Sequence, residues 1–106
     1  MRTLLKVSMP VEPANKAIKD GDLPKLFQRV ADQLRPEACY FYAENGKRTA
    51  LMVFDLKEPA QIPLVAEQFF NELNASVELS PVMNIEEVKK GLEKYQREAG
   101  RVPVGA

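Results

Sequence analysis

The sequence predicts a single α+β domain with the element order β-α-β-β-α-β and one further helix at its C-terminal end. Three observations support this prediction. The length of 106 residues suits one domain. The dipeptide Asn45-Gly46 separates two runs rich in apolar and aromatic residues, as in a β-hairpin. Two amphipathic helical segments with the same apolar spacing flank that hairpin, one before it and one after it.

The first half of the chain begins with a strand over residues 3–9 and continues as a helical region over residues 11–34. Gly21-Asp22 interrupts this region, and Asp22 is a suitable N-cap for the second helical piece. Pro36 ends the helix. The apolar residues of the second piece recur at a helical spacing and so lie on one face: Leu23, Leu26, Phe27, Val30, Ala31 and Leu34.

The hairpin joins a strand over residues 37–44 to a strand over residues 47–56. Asn and Gly both tolerate positive φ, so the pair favours a two-residue type I′ turn. A turn of this length determines the register of the two strands. The expected facing pairs are Tyr42 with Thr49, Phe41 with Ala50, and Tyr40 with Leu51.

The second half of the chain repeats the helical pattern of the first at an offset of 39 residues, since Ile62 corresponds to Leu23. Pro59 lies near the first turn of this helix, and a strand follows over residues 75–83. Asn84 and Glu87 form a capping box for the last helix, whose apolar stripe is narrow: Ile85, Val88, Leu92 and Tyr95. We expect residues 1–98 to form the domain and residues 99–106 a flexible tail.

Two β-α-β halves of this kind form the split β-α-β, or ferredoxin-like, arrangement, in which an antiparallel sheet of order 4-1-3-2 has both long helices on one face. We expect the first and third strands to be the one pair of parallel neighbours. The hairpin strands carry apolar residues on both faces, with Leu51 and Val53 on one and Met52 and Phe54 on the other. In a sheet with one solvent-exposed face, apolar and polar residues would alternate along each strand. We therefore expect a second copy to cover the second face in a homodimer.

Three stretches resemble a family of uncharacterised small bacterial proteins in the dimeric α/β-barrel superfamily: residues 6–12 (KVSMPVE), 35–49 (RPEACYFYAENGKRT) and 80–84 (SPVMN). The resemblance covers most of the chain up to about Tyr95. It implies a ferredoxin-like fold whose sheets pair into a dimeric α/β barrel. The superfamily includes haem-degrading and quinone-forming monooxygenases, muconolactone isomerases and amino-acid-sensing regulator domains. No catalytic motif of these branches matches this chain residue by residue.

The composition excludes several functional classes. The 15 Lys and Arg residues balance the 15 Asp and Glu residues, which argues against a partner such as nucleic acid or an anionic membrane. No run of about 20 apolar residues is present to span a membrane. The chain has no histidine, which excludes His-based catalysis and His-ligated haem or zinc, and we expect no metal or cofactor. The one cysteine, Cys39, is expected to be a buried, inert thiol in the reducing cytoplasm.

A candidate ligand site follows from the expected parallel pair, because the C-terminal ends of parallel strands share one rim. This rim would hold Glu12, Asn15 and Asp55, where carboxylates can act as a general base or bind a cation, or simply cap and solvate loop ends. Tyr40 and Tyr42 share a strand face and either reach into the cleft between sheet and helices or pack in the sheet. We expect these five residues to bind a small apolar or aromatic ligand.

Two neighbouring charged groups accompany this site. Glu37, at the start of the second strand, would add a carboxylate to the rim. Lys6 would pair with Glu78 across neighbouring strands.

Two functional hypotheses remain. The first is a small dimeric module for ligand binding or assembly, without catalysis. The second is a cofactor-independent oxygenase or isomerase acting on a small aromatic or polyketide-like molecule, which rests on the superfamily resemblance. No residue is assigned a catalytic role. A closed pocket of at least ~300 Å³ with convergent polar groups would favour the enzyme.

Overall fold

The computed structural model describes residues 1–100 and contains four strands and four helices in that range. In chain order they are β1 (Arg2–Met9), α1 (Val11–Lys19), α2 (Asp22–Leu34), β2 (Ala38–Glu44), β3 (Lys47–Asp55), α3 (Gln61–Leu73), β4 (Ser76–Pro81) and α4 (Ile85–Ala99). The α+β class and the element order are confirmed. Of the expected tail, residues 101–106 lie outside the described residues, and Ala99 belongs to α4.

The four strands form one sheet of order β2-β3-β1-β4, which is the expected order 4-1-3-2 viewed from the other edge. The hairpin register is confirmed at all three expected pairs. The expected parallel pairing of β1 and β3 is wrong, because β1 runs antiparallel to both β3 and β4. The connection through α1 and α2 makes β2 run in the same direction as β1. The tight hairpin then reverses the chain, so β3 is antiparallel to β1, its neighbour in the sheet.

One face of the sheet holds the core together with the helices. Along β1 buried and half-buried residues alternate, and Leu5, Val7 and Met9 point to the buried side. Met52 and Phe54 of β3 lie on the same side, as the register shows. The helices supply the other half of the core: Ala14, Ala17, Leu26, Phe27, Val30, Leu34, Val65, Phe69 and Leu73.

Helices α2 and α3 are related by the 39-residue repeat. Both have 13 residues, and both end at a left-handed residue, Arg35 (φ 47°) and Asn74 (φ 55°), again 39 positions apart. Arg29 Nε donates a hydrogen bond of 2.8 Å to Oε1 of Gln68, its equivalent in the repeat. Arg29 also contacts Glu72, and Gln68 donates a hydrogen bond to Gln33, so the same contact recurs with the two helices exchanged. Reciprocal contacts of this kind mark a twofold axis, so the two helices pack about a local pseudo-twofold.

Two helix starts differ from the expected positions. Gly21 (φ 77°) is the N-cap of α2, and Asp22 is its first residue and makes no side-chain cap. Helix α3 begins at Gln61, two residues beyond Pro59. The Gln61 side-chain oxygen accepts hydrogen bonds from the backbone N–H groups of Lys57 and Glu58, which ties down the preceding turn.

Helix α4 stands apart from the rest of the fold. Its expected capping box is confirmed, with Asn84 and Glu87 each accepting a backbone N–H from the other. None of the residues of Ile85–Ala99 is buried. The molecule is accordingly elongated, 62 Å by 28 Å by 22 Å, with a radius of gyration of 18.3 Å, against about 13 Å for a compact chain of 100 residues.

Candidate functional site on the open face of the sheet

The expected rim of Glu12, Asn15 and Asp55 is divided between opposite ends of the sheet. Glu12 and Asn15 are exposed on α1, beyond the C-terminal end of β1. Asp55 faces Arg2 at the N-terminal end of β1. Seven residue steps separate those ends of β1, or about 23 Å. The expectation of a shared rim is therefore wrong, and its cause is the antiparallel pairing of β1 and β3.

Asp55 belongs instead to a charged cluster where β1 begins. Its carboxylate accepts hydrogen bonds from the N-terminal amine of Met1, at 2.7 Å, and from Lys57, at 3.3 Å. The Met1 amine lowers the pKa of Asp55 below its ordinary value, and Lys57 adds a smaller effect in the same direction. Glu37 lies at the same end, 3.4 Å from Arg2. These exposed ion pairs hold the chain terminus and the strand ends together.

The two tyrosines lie on the face of the sheet turned away from α1, α2 and α3, here called the open face. Tyr40 faces Leu51 and is 70% exposed. Tyr42 faces Thr49 and is 40% exposed. Strand alternation therefore directs Tyr40 away from the cleft between sheet and helices, whereas Tyr42 also borders a groove at its edge.

The open face has an apolar half and a polar half. The apolar half lies mainly on β2 and β3 and consists of Ala38, Tyr40, Tyr42, Leu51 and Val53, and Leu4 of β1 extends it opposite Val53. The polar half lies on β1 and β4 and consists of Lys6, Ser8, Ser76, Glu78 and Ser80. The apolar half was indicated in the sequence by the apolar residues of the hairpin. The polar half follows from the sheet order, which brings polar positions of β1 and β4 side by side.

Lys6 is the central charge of the polar half. It lies opposite Glu78 in the register, as expected, but its ammonium group pairs with Glu44 at the end of β2. The hydrogen bond from Lys6 to Glu44 raises the lysine pKa above its ordinary value, and Glu78 adds a smaller effect of the same sign. A shallow cleft of about 180 Å³ lies between these groups, bordered also by Ser8, Asn45 and Ser76. Such a cleft suits a polar or charged group.

An apolar groove of about 310 Å³ opens between α2 and the edge of the sheet. Its floor includes Phe41, which is 58% exposed and stacks edge-on against Phe27 with ring centroids 5.0 Å apart. Arg48 and Tyr42 supply polar groups at its border. The groove exists because β2 is an edge strand that α2 covers only in part. Its full lining is Met9, Leu23, Phe27, Phe41, Tyr42, Ala43, Arg48 and Thr49.

Cys39 is exposed on this edge strand, so the expectation of a buried thiol is wrong. The apolar neighbours in the sequence suggested burial, but the helices leave β2 partly uncovered. Partial desolvation by its surroundings still raises the pKa of the Cys39 thiol. Its low thiolate fraction at neutral pH makes it a weak nucleophile.

Within residues 1–100, no group of three or more His, Cys, Asp or Glu side chains is arranged to hold a metal ion. Over the same range no helix is long and apolar enough to cross a membrane. Neither a protein-family model nor a curated protein sequence matches the chain. The geometry of the open face and of the groove therefore carries the functional argument.

Proposed function

We propose that the protein is a homodimeric binding module of the ferredoxin-like, dimeric α/β-barrel type, with the open face of each sheet buried in the dimer interface. The observation that carries this proposal is the apolar half of the open face. Tyr40 is 70% exposed there beside Leu51 and Val53. Contiguous apolar surface on one side of a sheet marks an interaction site more often than a solvated face.

The chemistry of the face suits a second copy of the same chain. Dimers with twofold symmetry present the same patch from both partners, so the patch must complement itself. The open face satisfies this condition because it contains both an apolar half and charges of both signs, Lys6 beside Glu44 and Glu78. An aromatic residue such as Tyr40 is also the type enriched at the centre of interfaces.

The test is sedimentation of the wild-type chain at micromolar concentration, with the variant Tyr40→Lys. We expect wild type to sediment at about twice the chain mass of 11.9 kDa. In the variant, a lysine that must lose water at the interface should raise the dissociation constant at least ~10-fold, or about 1.4 kcal/mol. Tyr40 is mostly exposed within the protomer, so folding of the variant monomer should be unaffected, which circular dichroism checks.

The matched control is Phe70→Lys, an exposed aromatic residue on α3, away from the open face. It should leave the dimer unchanged. A monomeric wild type contradicts the proposal, as does a Tyr40→Lys dimer as tight as the wild type.

The groove beside α2 supports ligand binding as a second role of the module. Its volume of about 310 Å³ is at the lower end of the ~300–1,000 Å³ typical of ligand pockets, and few polar groups are needed to orient an apolar ligand. Arg48 favours a ligand with an acidic group. Under the oxygenase or isomerase hypothesis, the substrate would bind in the same groove.

Fluorescence of the anionic aromatic probe 1-anilinonaphthalene-8-sulfonate tests the groove. We expect wild type to enhance it, and Phe41→Lys to abolish most of the enhancement by placing a flexible cation in the apolar floor. The control is Tyr40→Lys, one residue along β2 on the opposite face, which should retain the enhancement. Equal loss in both variants would locate the probe outside the groove.

A further inference from the structure

Helix α4 and the apolar half of the open face are two apolar surfaces that the protomer leaves exposed. We propose that α4 is an exchanged arm: in the dimer, its stripe of Ile85, Val88, Leu92 and Tyr95 packs along the apolar half of the second copy. This inference rests on the proposed dimer and names the element that fills its interface.

Helix α4 exposes its own apolar stripe to solvent. Ile85 is 73% exposed and Tyr95 is 68% exposed, although both lie on the apolar stripe. The stripe has the spacing 3-4-3, which is that of a helix packed along one narrow contact. Isolated helices below about 12–15 residues are marginal in water even when Ala-rich, and α4, with 15 residues, is only at the upper end of that range. A packing partner supplies the stability that its own protomer does not.

The start of α4 is anchored to the rest of the protomer. Arg2 donates a hydrogen bond to Glu87 in the first turn. The backbone N–H of Val82 donates a hydrogen bond to the carbonyl oxygen of Arg2. The capping box at Asn84 stiffens the same turn. The helix is thereby fixed at the beginning of β1 and none of its residues is buried, so the arm projects away from the core of its own protomer.

The apolar stripe of α4 and the apolar half match in length. The stripe from Ile85 to Tyr95 covers ten residue steps of helix, or about 15 Å. The open-face positions of β2 from Ala38 to Tyr42 cover four steps of strand, or about 13 Å, and β2 and β3 together are about 10 Å across. A symmetric exchange covers four such surfaces of about 140 Å² each, or about a third of the ~1,600 Å² of a standard interface, and the rest of the open face supplies the remainder.

Gly91 lies in the interior of α4. A glycine inside an exposed helix costs about 1 kcal/mol relative to alanine, and a Cβ at this position would meet no atom of residues 1–100 within 4 Å. Within those residues, nothing therefore requires glycine here. On the helix surface Gly91 borders the apolar stripe beside Val88 and Tyr95, three and four residues away, where a missing side chain lets the arm approach a sheet closely.

Sedimentation of the double variant Val88→Gln/Leu92→Gln tests the arm. Glutamine is a better helix former than valine and about equal to leucine, so the change removes apolar contact without weakening the helix. We expect the dissociation constant of the dimer to rise at least ~10-fold. The control Lys90→Gln/Lys94→Gln changes the opposite face of α4 and should stay within about threefold of the wild type.

Failure of the arm and failure of the dimer give different results. A wild-type monomer overturns the proposed dimer and the arm together. A wild-type dimer whose affinity is the same in the Val88→Gln/Leu92→Gln variant overturns the arm and leaves the dimer intact.

A photo-crosslink locates the occupant directly. We would replace Tyr95 with p-benzoylphenylalanine and map the crosslinked peptide of the covalent dimer by mass spectrometry. A crosslink to residues 38–55 of the second copy supports the exchanged arm. A crosslink to α4 of the second copy, as in a helix pair, overturns it.

Discussion

Single residues at the start of β1 hold three parts of the chain together. The Met1 amine contacts Asp55, and Arg2 contacts both Glu37 and Glu87. Each pair is exposed, and exposed pairs contribute little to stability individually. Their shared role is positional, because they tie the chain terminus to the end of β3, to the start of β2 and to the first turn of α4. Asp55, which the sequence suggested as a ligand contact, belongs to this cluster and pairs with the Met1 amine.

Cys39 gives a prediction at the residue scale. Its pKa is raised by partial desolvation, and the thiolate is the reactive form. The folded protein should therefore react with a disulfide reagent more slowly at pH 7 than the same chain unfolded in guanidinium, and the difference should close as the pH rises past the thiol pKa. Stopped-flow absorbance measures both rates. A folded rate at pH 7 equal to or above the unfolded rate contradicts the prediction.

At the scale of elements, the hairpin and the helices follow local chemistry. Asn45 (φ 54°) and Gly46 (φ 74°) adopt the two positive φ values of a type I′ turn, and the register of β2 and β3 follows from that turn. Helices α2 and α3 each cover the sheet with one apolar face. Helix α4 likewise follows local chemistry, since it has a capping box and a regular apolar stripe. Unlike α2 and α3, it buries none of its residues against its own protomer.

The turn gives a prediction at the element scale. Gly46→Ala should lower the free energy of unfolding by about 1–2 kcal/mol, because a Cβ is disfavoured in the left-handed region that Gly46 occupies. A Cβ there meets no atom within 4 Å, so backbone strain is the cause and not a clash. Urea unfolding measures the change. The control Asn45→Gly should stay within about 0.5 kcal/mol, and an equal loss in both variants would contradict the explanation.

At the scale of the whole molecule, the direction of the strands determines which residues can act together. With β1 and β3 antiparallel, Glu12 and Asn15 lie at one end of the sheet and Asp55 at the other. The same order brings Lys6, Glu44 and Glu78 to one region of the open face, from three different strands. The distribution of polar and apolar residues over that face supports assembly with a second copy.

The sequence by itself determined the elements of this protein, because each depends on residues close together in the chain. The Asn45-Gly46 turn, the helical stripes and the Asn84 cap all act within a few residues, and the turn also predicted the hairpin register. Strand direction, the exposure of Cys39 and the partner of Lys6 depend on residues distant in the chain, so only the tertiary structure decided them. The candidate site belongs to this second group, because packing brings its strands together.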